Sequence, residues 1–91
     1  MTKKRTRLEV IKDILEVIKA KNGKIKPTHI LYKSNLSYQM MEDYLDELKE
    51  KELIREQKLK QGRTYMLTDK GFSFLAEYGR IQAFTNSFGF E

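Results

Sequence analysis

The sequence predicts an α+β domain that is mostly α: three helices, a β-hairpin and one further helix. Three observations predict it. Downstream of Pro27, two stretches with helical apolar spacing are separated by only a few polar residues around Asn35. Past Leu53-Ile54 the spacing changes to that of paired strands, with Gly62 between the two arms. At Thr68-Asp69 a helix-start signal returns with no linker before it. That order is a winged helix-turn-helix, and the chain is expected to form one domain over residues 1–91.

The first helix follows a basic arm, residues 1–7. Thr6 and Glu9 stand in the S/T-x-x-E relation that satisfies two otherwise unpaired N–H groups. Leu8, Ile11, Ile14, Leu15 and Ile18 then form an apolar face, and Asn22-Gly23 ends the helix. Lys24-Ile25-Lys26 offers a short third strand to the hairpin. In the second helix Pro27 suits the first turn, and Ile30 and Leu31 supply the apolar edge. Asn35 tolerates a left-handed backbone, and Ser37 can accept from the free N–H groups of the next helix. There Met41, Leu45 and Leu48 recur at helical spacing with Tyr44 beside them, while Gln39, Glu42, Asp43, Asp46 and Glu47 fall on other faces.

The hairpin REQKLKQGRTYML has a basic tip and β-favouring Thr64, Tyr65 and Leu67 on its return. Thr68-Asp69 supplies an N-cap and a negative charge for the last helix, expected over residues 68–89. Its positions Phe74, Tyr78, Ile81, Thr85 and Phe88 alternate in four- and three-residue steps, the spacing of a coiled-coil seam. With Phe84 they form the expected homodimer interface, and Phe90 is a further anchor. The alternative is that these aromatics fold back on the chain's own core, with Gly79 as the kink. The dimer is preferred because a domain this small has limited interior and an exposed aromatic stripe invites association.

Composition narrows the function. A chain of 91 residues with 40% apolar content holds a single core. No run approaches a membrane span, and the basic start MTKKRTR is not followed by a continuous apolar segment, so the expectation is a soluble, cytoplasmic protein. The absence of cysteine removes disulfides, thiol catalysis and cysteine-based zinc sites. A lone His29 makes neither a metal site nor a catalytic constellation, and Gly62 and Gly71 belong to no phosphate-binding motif, so Gly71 reads as punctuation. An enzyme is not expected, nor a cofactor, metal or small-molecule ligand. Thirteen Lys and nine Glu beside few Asn and Gln lean toward a thermophilic source.

The segments ILYKSNLSYQMMEDYLDELKEKELI and YMLTDKGFSFL resemble the small archaeal winged-helix DNA-binding proteins, a family with abundant chromosome-associated members of about ten kilodaltons. The most specific parts are Tyr32 to Tyr38 across the turn and Leu67-Thr68-Asp69-Lys70-Gly71 after the wing; the second is similar to many winged-helix regulators. The resemblance implies a DNA-binding homodimer whose last helix pairs with its mate, acting as a transcription regulator or chromosome-associated protein.

Charge placement agrees with that only in part. Net charge is +5, and twelve of the eighteen cations fall in three clusters: Lys3, Lys4, Arg5 and Arg7 on the arm; Lys19, Lys21, Lys24, Lys26 and Lys33 before the turn; Lys58, Lys60 and Arg63 on the wing. The third helix instead carries Glu42, Asp43, Asp46, Glu47 and Glu50, the wrong sign for deep insertion among phosphates. Only its first turn is free of acid. The contact expected with duplex DNA is therefore shallow, through Lys33, Ser34, Asn35, Ser37, Tyr38 and Gln39 of the helix-turn-helix and Lys58, Lys60 and Arg63 of the wing. Gln39 is the candidate for reading a base, because its amide can pair bidentately with adenine. The alternative function is a protein-interaction module whose acidic third helix binds a basic partner.

Overall fold

The capping box at Thr6 is formed in the computed structural model, which describes residues 5–21 and 24–89. Thr6 Oγ1 accepts from the Glu9 amide at 3.2 Å, and Glu9 Oε1 accepts from the Thr6 amide at 2.8 Å. Helix α1 runs from there over Arg7–Ala20 and buries Val10, Ile11, Ile14, Leu15 and Ile18. Leu8 departs from the expected face: it is 55% exposed and Val10 is buried instead. The reason is its place in the first turn at the edge of the stripe, where it opens on a groove shared with Tyr78, Ile81, Gln82 and Thr85. The expected helix end at Asn22-Gly23 lies outside the described residues.

Pro27 occupies the first turn of α2, Pro27–Ser34, where its missing N–H costs nothing. Asn35 follows at φ 54°, ψ 51°, the left-handed conformation that stops the helix. Ser37 then caps α3, Tyr38–Glu50, its Oγ accepting from the Met40 amide at 3.2 Å. Met41, Leu45 and Leu48 are buried in the core shared with α1, α2 and the hairpin, and Tyr44 packs partly on the same core.

Strands β1 (Ile54–Leu59) and β2 (Gly62–Leu67) pair antiparallel in a register that sets Ile54 opposite Leu67 and Leu59 opposite Gly62. The third strand expected at Lys24-Ile25-Lys26 is reduced to one bridge, in which the Tyr65 amide donates to Ile25 O at 3.2 Å. Helix α4, Asp69–Ser87, docks by its first turn. Thr68 Oγ1 accepts from the Gly71 amide at 3.1 Å and donates to Glu52 O at 2.6 Å. Gly71 lies so close to β1's entry that a Cβ there would sit 2.3 Å from Leu53 O. Gly71 is thus a packing requirement rather than punctuation. Phe74 and Leu75 touch the core, and the helix continues unbroken through Gly79, where the alternative reading placed a kink.

Candidate nucleic-acid interface

At the start of α3, Ser37 takes up the Met40 amide and the Ser37 carbonyl takes up that of Met41. The first-turn amides of Tyr38 and Gln39 have no acceptor within the helix, and they stand at the positive end of its dipole. Around them Lys33, Asn35, Ser37, Tyr38 and Gln39 are exposed. Ser34, expected among the contacts, is fully buried, so its side chain does not reach a ligand; packing of α2's last turn against the core places it inward. Gln39 Nε2 donates to Asp43 Oδ1 at 3.0 Å, which holds the amide at the helix tip and leaves its oxygen and second N–H for another partner.

The acids of α3 are not the uncompensated surface that their number implies. Arg63 on β2 donates to Glu42 at 2.9 Å, and Lys49 donates to Glu56 on β1 at 2.7 Å, so α3 and the wing exchange one ion pair in each direction. Arg7 binds Glu47 from the other flank and lies over the Tyr44 ring at 5.7 Å. Asp46 is 3.7 Å from Lys49. The hydrogen bond from Lys49 draws the Glu56 carboxyl below its ordinary range despite its burial, and the bond to Glu56 raises Lys49 in turn. Asp43 and Glu50 remain exposed on the outer face with no ion pair among the described residues. Tyr65, on β2, is buried with its hydroxyl lacking a hydrogen-bond partner among the described residues, and burial pushes that hydroxyl's pKa up to about 12.

The wing exposes Lys58 near the end of β1 and Lys60 in the turn itself. Arg63, directly opposite Lys58 in the register, is turned back to Glu42 and over the Tyr65 ring. On the arm, Arg5 and Arg7 are held by contacts within the chain, while Lys3 and Lys4 lie outside the described residues. Lys19, Lys21, Lys24 and Lys26 are exposed near the start of the helix-turn-helix. Sequence reasoning missed the pairs across α3 because their partners are 21 and 40 residues apart in the chain, beyond any local pattern.

On α4 the candidate dimer positions divide. Phe74, Tyr78 and Thr85 are half-buried, whereas Ile81, Phe84 and Phe88 are 63–64% exposed, with the Phe84 and Phe88 rings 5.0 Å apart. Phe90 lies outside the described residues. Among the described residues no helix is long and apolar enough to cross a membrane, and no group of His, Asp and Glu could hold a metal ion.

The winged helix-turn-helix family model matches residues 4–86. Among solved structures, Sso10a-2, a DNA-binding protein from Sulfolobus solfataricus, is similar at 23% identity and TM-score 0.75, over 91% of this chain and 87% of that one. YodB from B. subtilis is similar at 25% identity and TM-score 0.76, over 91% of this chain and 82% of that one. A MepR variant from S. aureus bound to an oligodeoxyribonucleotide shares the fold at 16% identity and TM-score 0.74; 86% of this chain spans 59% of that longer one. No curated protein matches the chain.

Proposed function

This chain belongs to the winged helix-turn-helix family, and from that premise we propose that it binds duplex DNA as a homodimer, as a transcription regulator or nucleoid-associated protein. The observation that carries the reading is the acid-free first turn of α3, exposed at Ser37, Tyr38 and Gln39, together with a wing whose Lys58 and Lys60 stand free in solvent. Three flank acids of α3 are covered by the chain's own cations, which lowers the electrostatic cost of bringing that helix to a phosphate backbone. The outer Asp43 and Glu50 are not covered, so docking engages the tip of α3 and the wing rather than its full length. Similarity to a DNA-binding protein and to a MepR variant bound to an oligodeoxyribonucleotide supports the same reading.

The dimer rests on the exposed Ile81, Phe84 and Phe88. Two linked DNA sites raise the effective concentration of the second contact, so a pair binds more tightly than either domain. Titration of duplex DNA at several salt concentrations tests the proposal. The log of the binding constant should fall with log salt, with a slope near −0.9 per phosphate neutralised, and replacing Lys58 and Lys60 by Ala should flatten it by about two units per domain. Binding that is absent at low salt sinks the proposal. Binding to a basic peptide at Asp43 and Glu50 would then favour the protein-interaction alternative, which those two acids, without an ion pair among the described residues, support.

A further inference from the structure

We propose that Arg5 is a positioning residue that fastens the helix-turn-helix turn to α1 and does not contact phosphate. Its guanidinium reaches two elements at once: Nη1 donates to Asp13 Oδ2 on α1 at 2.7 Å, and Nη2 donates to the backbone carbonyl of Ser34 at 2.6 Å. Ser34 is the last residue of α2. Its carbonyl is one of those for which a helix end has no partner of its own, and it lies at the negative pole of α2's dipole. With Arg5 in place the residue is fully buried, and the arginine takes up that carbonyl.

The next residue is Asn35, the left-handed hinge, and two residues later Ser37 caps α3. Arg5 therefore holds the chain one residue before the bend that aims the first turn of α3. A planar fork holds a carboxylate and a carbonyl in fixed directions, whereas a lysine's rotating ammonium leaves those directions unset. Asp13 orients the fork, and its other oxygen, Oδ1, lies 3.3 Å from Lys12 Nζ. The Arg5 and Asp13 side chains are each about a third exposed, 31% and 29%, so as an ion pair they contribute little to stability. What they provide is the placement of the turn.

The inference rests on the DNA-binding reading, and Asp13 separates it from simple charge. If charge alone matters, Asp13→Asn removes an anion from a DNA-binding face and tightens binding. If Arg5 positions the turn, Asp13→Asn loosens the fork by replacing a carboxylate acceptor with a neutral amide oxygen and weakens binding by roughly three- to tenfold, the range of one hydrogen bond of ordinary net strength. Duplex binding by the full-length chain is measured for the unmodified protein, Arg5→Ala, Arg5→Lys and Asp13→Asn across a salt series, with circular dichroism establishing that each is folded. Arg5→Ala should lose affinity with an unchanged salt slope, Asp13→Asn should reproduce the loss, and Arg5→Lys should fail to restore it. Tighter binding by Asp13→Asn, a slope flattened by about 0.9 in Arg5→Ala, or rescue by Arg5→Lys overturns the proposal and makes Arg5 a phosphate contact. If the unmodified protein binds no duplex at low salt, the DNA reading fails. The positioning role is then judged by amide chemical shifts of the free protein: changes at Asn35 to Gln39 in both Arg5→Ala and Asp13→Asn uphold it, and unchanged shifts there overturn it.

Discussion

Met41, Leu45 and Leu48 of α3 are at most 1% exposed, whereas Ile81, Phe84 and Phe88 of α4, separated by the same three- and four-residue steps, are 63–64% exposed. A periodic apolar stripe thus marks a face that must be covered, and tertiary context decides what covers it. For α3 the cover is the core of its own chain, with α2 and β1 packed against it. For the second half of α4 it is proposed to be another copy.

The largest effects should come from breaking that contrast directly. Leu45→Ala removes buried methyl groups from the centre of the core and should cost about 2–5 kcal/mol of folding stability at any protein concentration. Ending the chain at Arg80 removes Ile81, Phe84 and Phe88 while leaving the core cluster intact. The truncated chain should remain folded but sediment as a monomer, and it should bind DNA more weakly because its two sites are no longer linked. Should the full-length chain itself be monomeric well above micromolar concentration, the seam is not an interface and the contrast between the helices loses its explanation.

That contrast also separates what could be read in the sequence from what could not. Caps at Thr6, Ser37 and Thr68 and the left-handed Asn35 were legible because each depends on atoms within about three residues, so type and spacing suffice. The buried stripe of α3 was legible by its period. The inward turn of Ser34 was not, since a serine at a helix end reads as a polar surface residue until the packing of that turn is known. Nor were the partners of Arg5, Arg7 and Arg63, because a cation's sequence position does not say whether an acid of another element lies within reach. Counting cations toward DNA therefore overstated how many are free. Glu52 is a further case: it takes a left-handed φ of 63° after α3, where glycine would be the expected choice.

Two glycines on α4 sharpen the comparison at a smaller scale. Gly71 lies in the half that packs on the core, and an added Cβ would meet the Leu53 carbonyl at 2.3 Å, a backbone atom that cannot swing aside. Gly71→Ala should therefore destabilise the fold by about 3 kcal/mol, the upper end of the usual overpacking range. Among the described residues, nothing beyond the neighbouring backbone of its own helix comes within 4 Å of where a Cβ at Gly79 would be. Gly79→Ala should stabilise the helix by up to about 1 kcal/mol, since alanine loses less backbone entropy there. Thermal or urea unfolding of the two variants reads both signs; equal destabilisation would mean that the second half of α4 is packed as tightly as the first.

The smallest changes probe the outer surface of α3, where the tip and the flank should behave differently. Gln39 stands in the acid-free first turn, so Gln39→Ala should weaken binding to a preferred duplex by about 1–3 kcal/mol if the amide reads a base edge, with little effect on random DNA. Glu42 stands on the flank and is occupied by Arg63 at 2.9 Å. Glu42→Gln removes one negative charge and releases Arg63 toward the phosphates beside Lys58 and Lys60. Binding should then tighten by less than about 1 kcal/mol, the range of a partly exposed ion pair, and the salt slope should steepen toward one additional phosphate contact per domain. An unchanged slope with weaker binding would mean that the Glu42–Arg63 pair holds the wing in its binding position. Arg63 would then belong to the scaffold on the same footing as Arg5, leaving Lys58 and Lys60 as the wing's contacts with DNA.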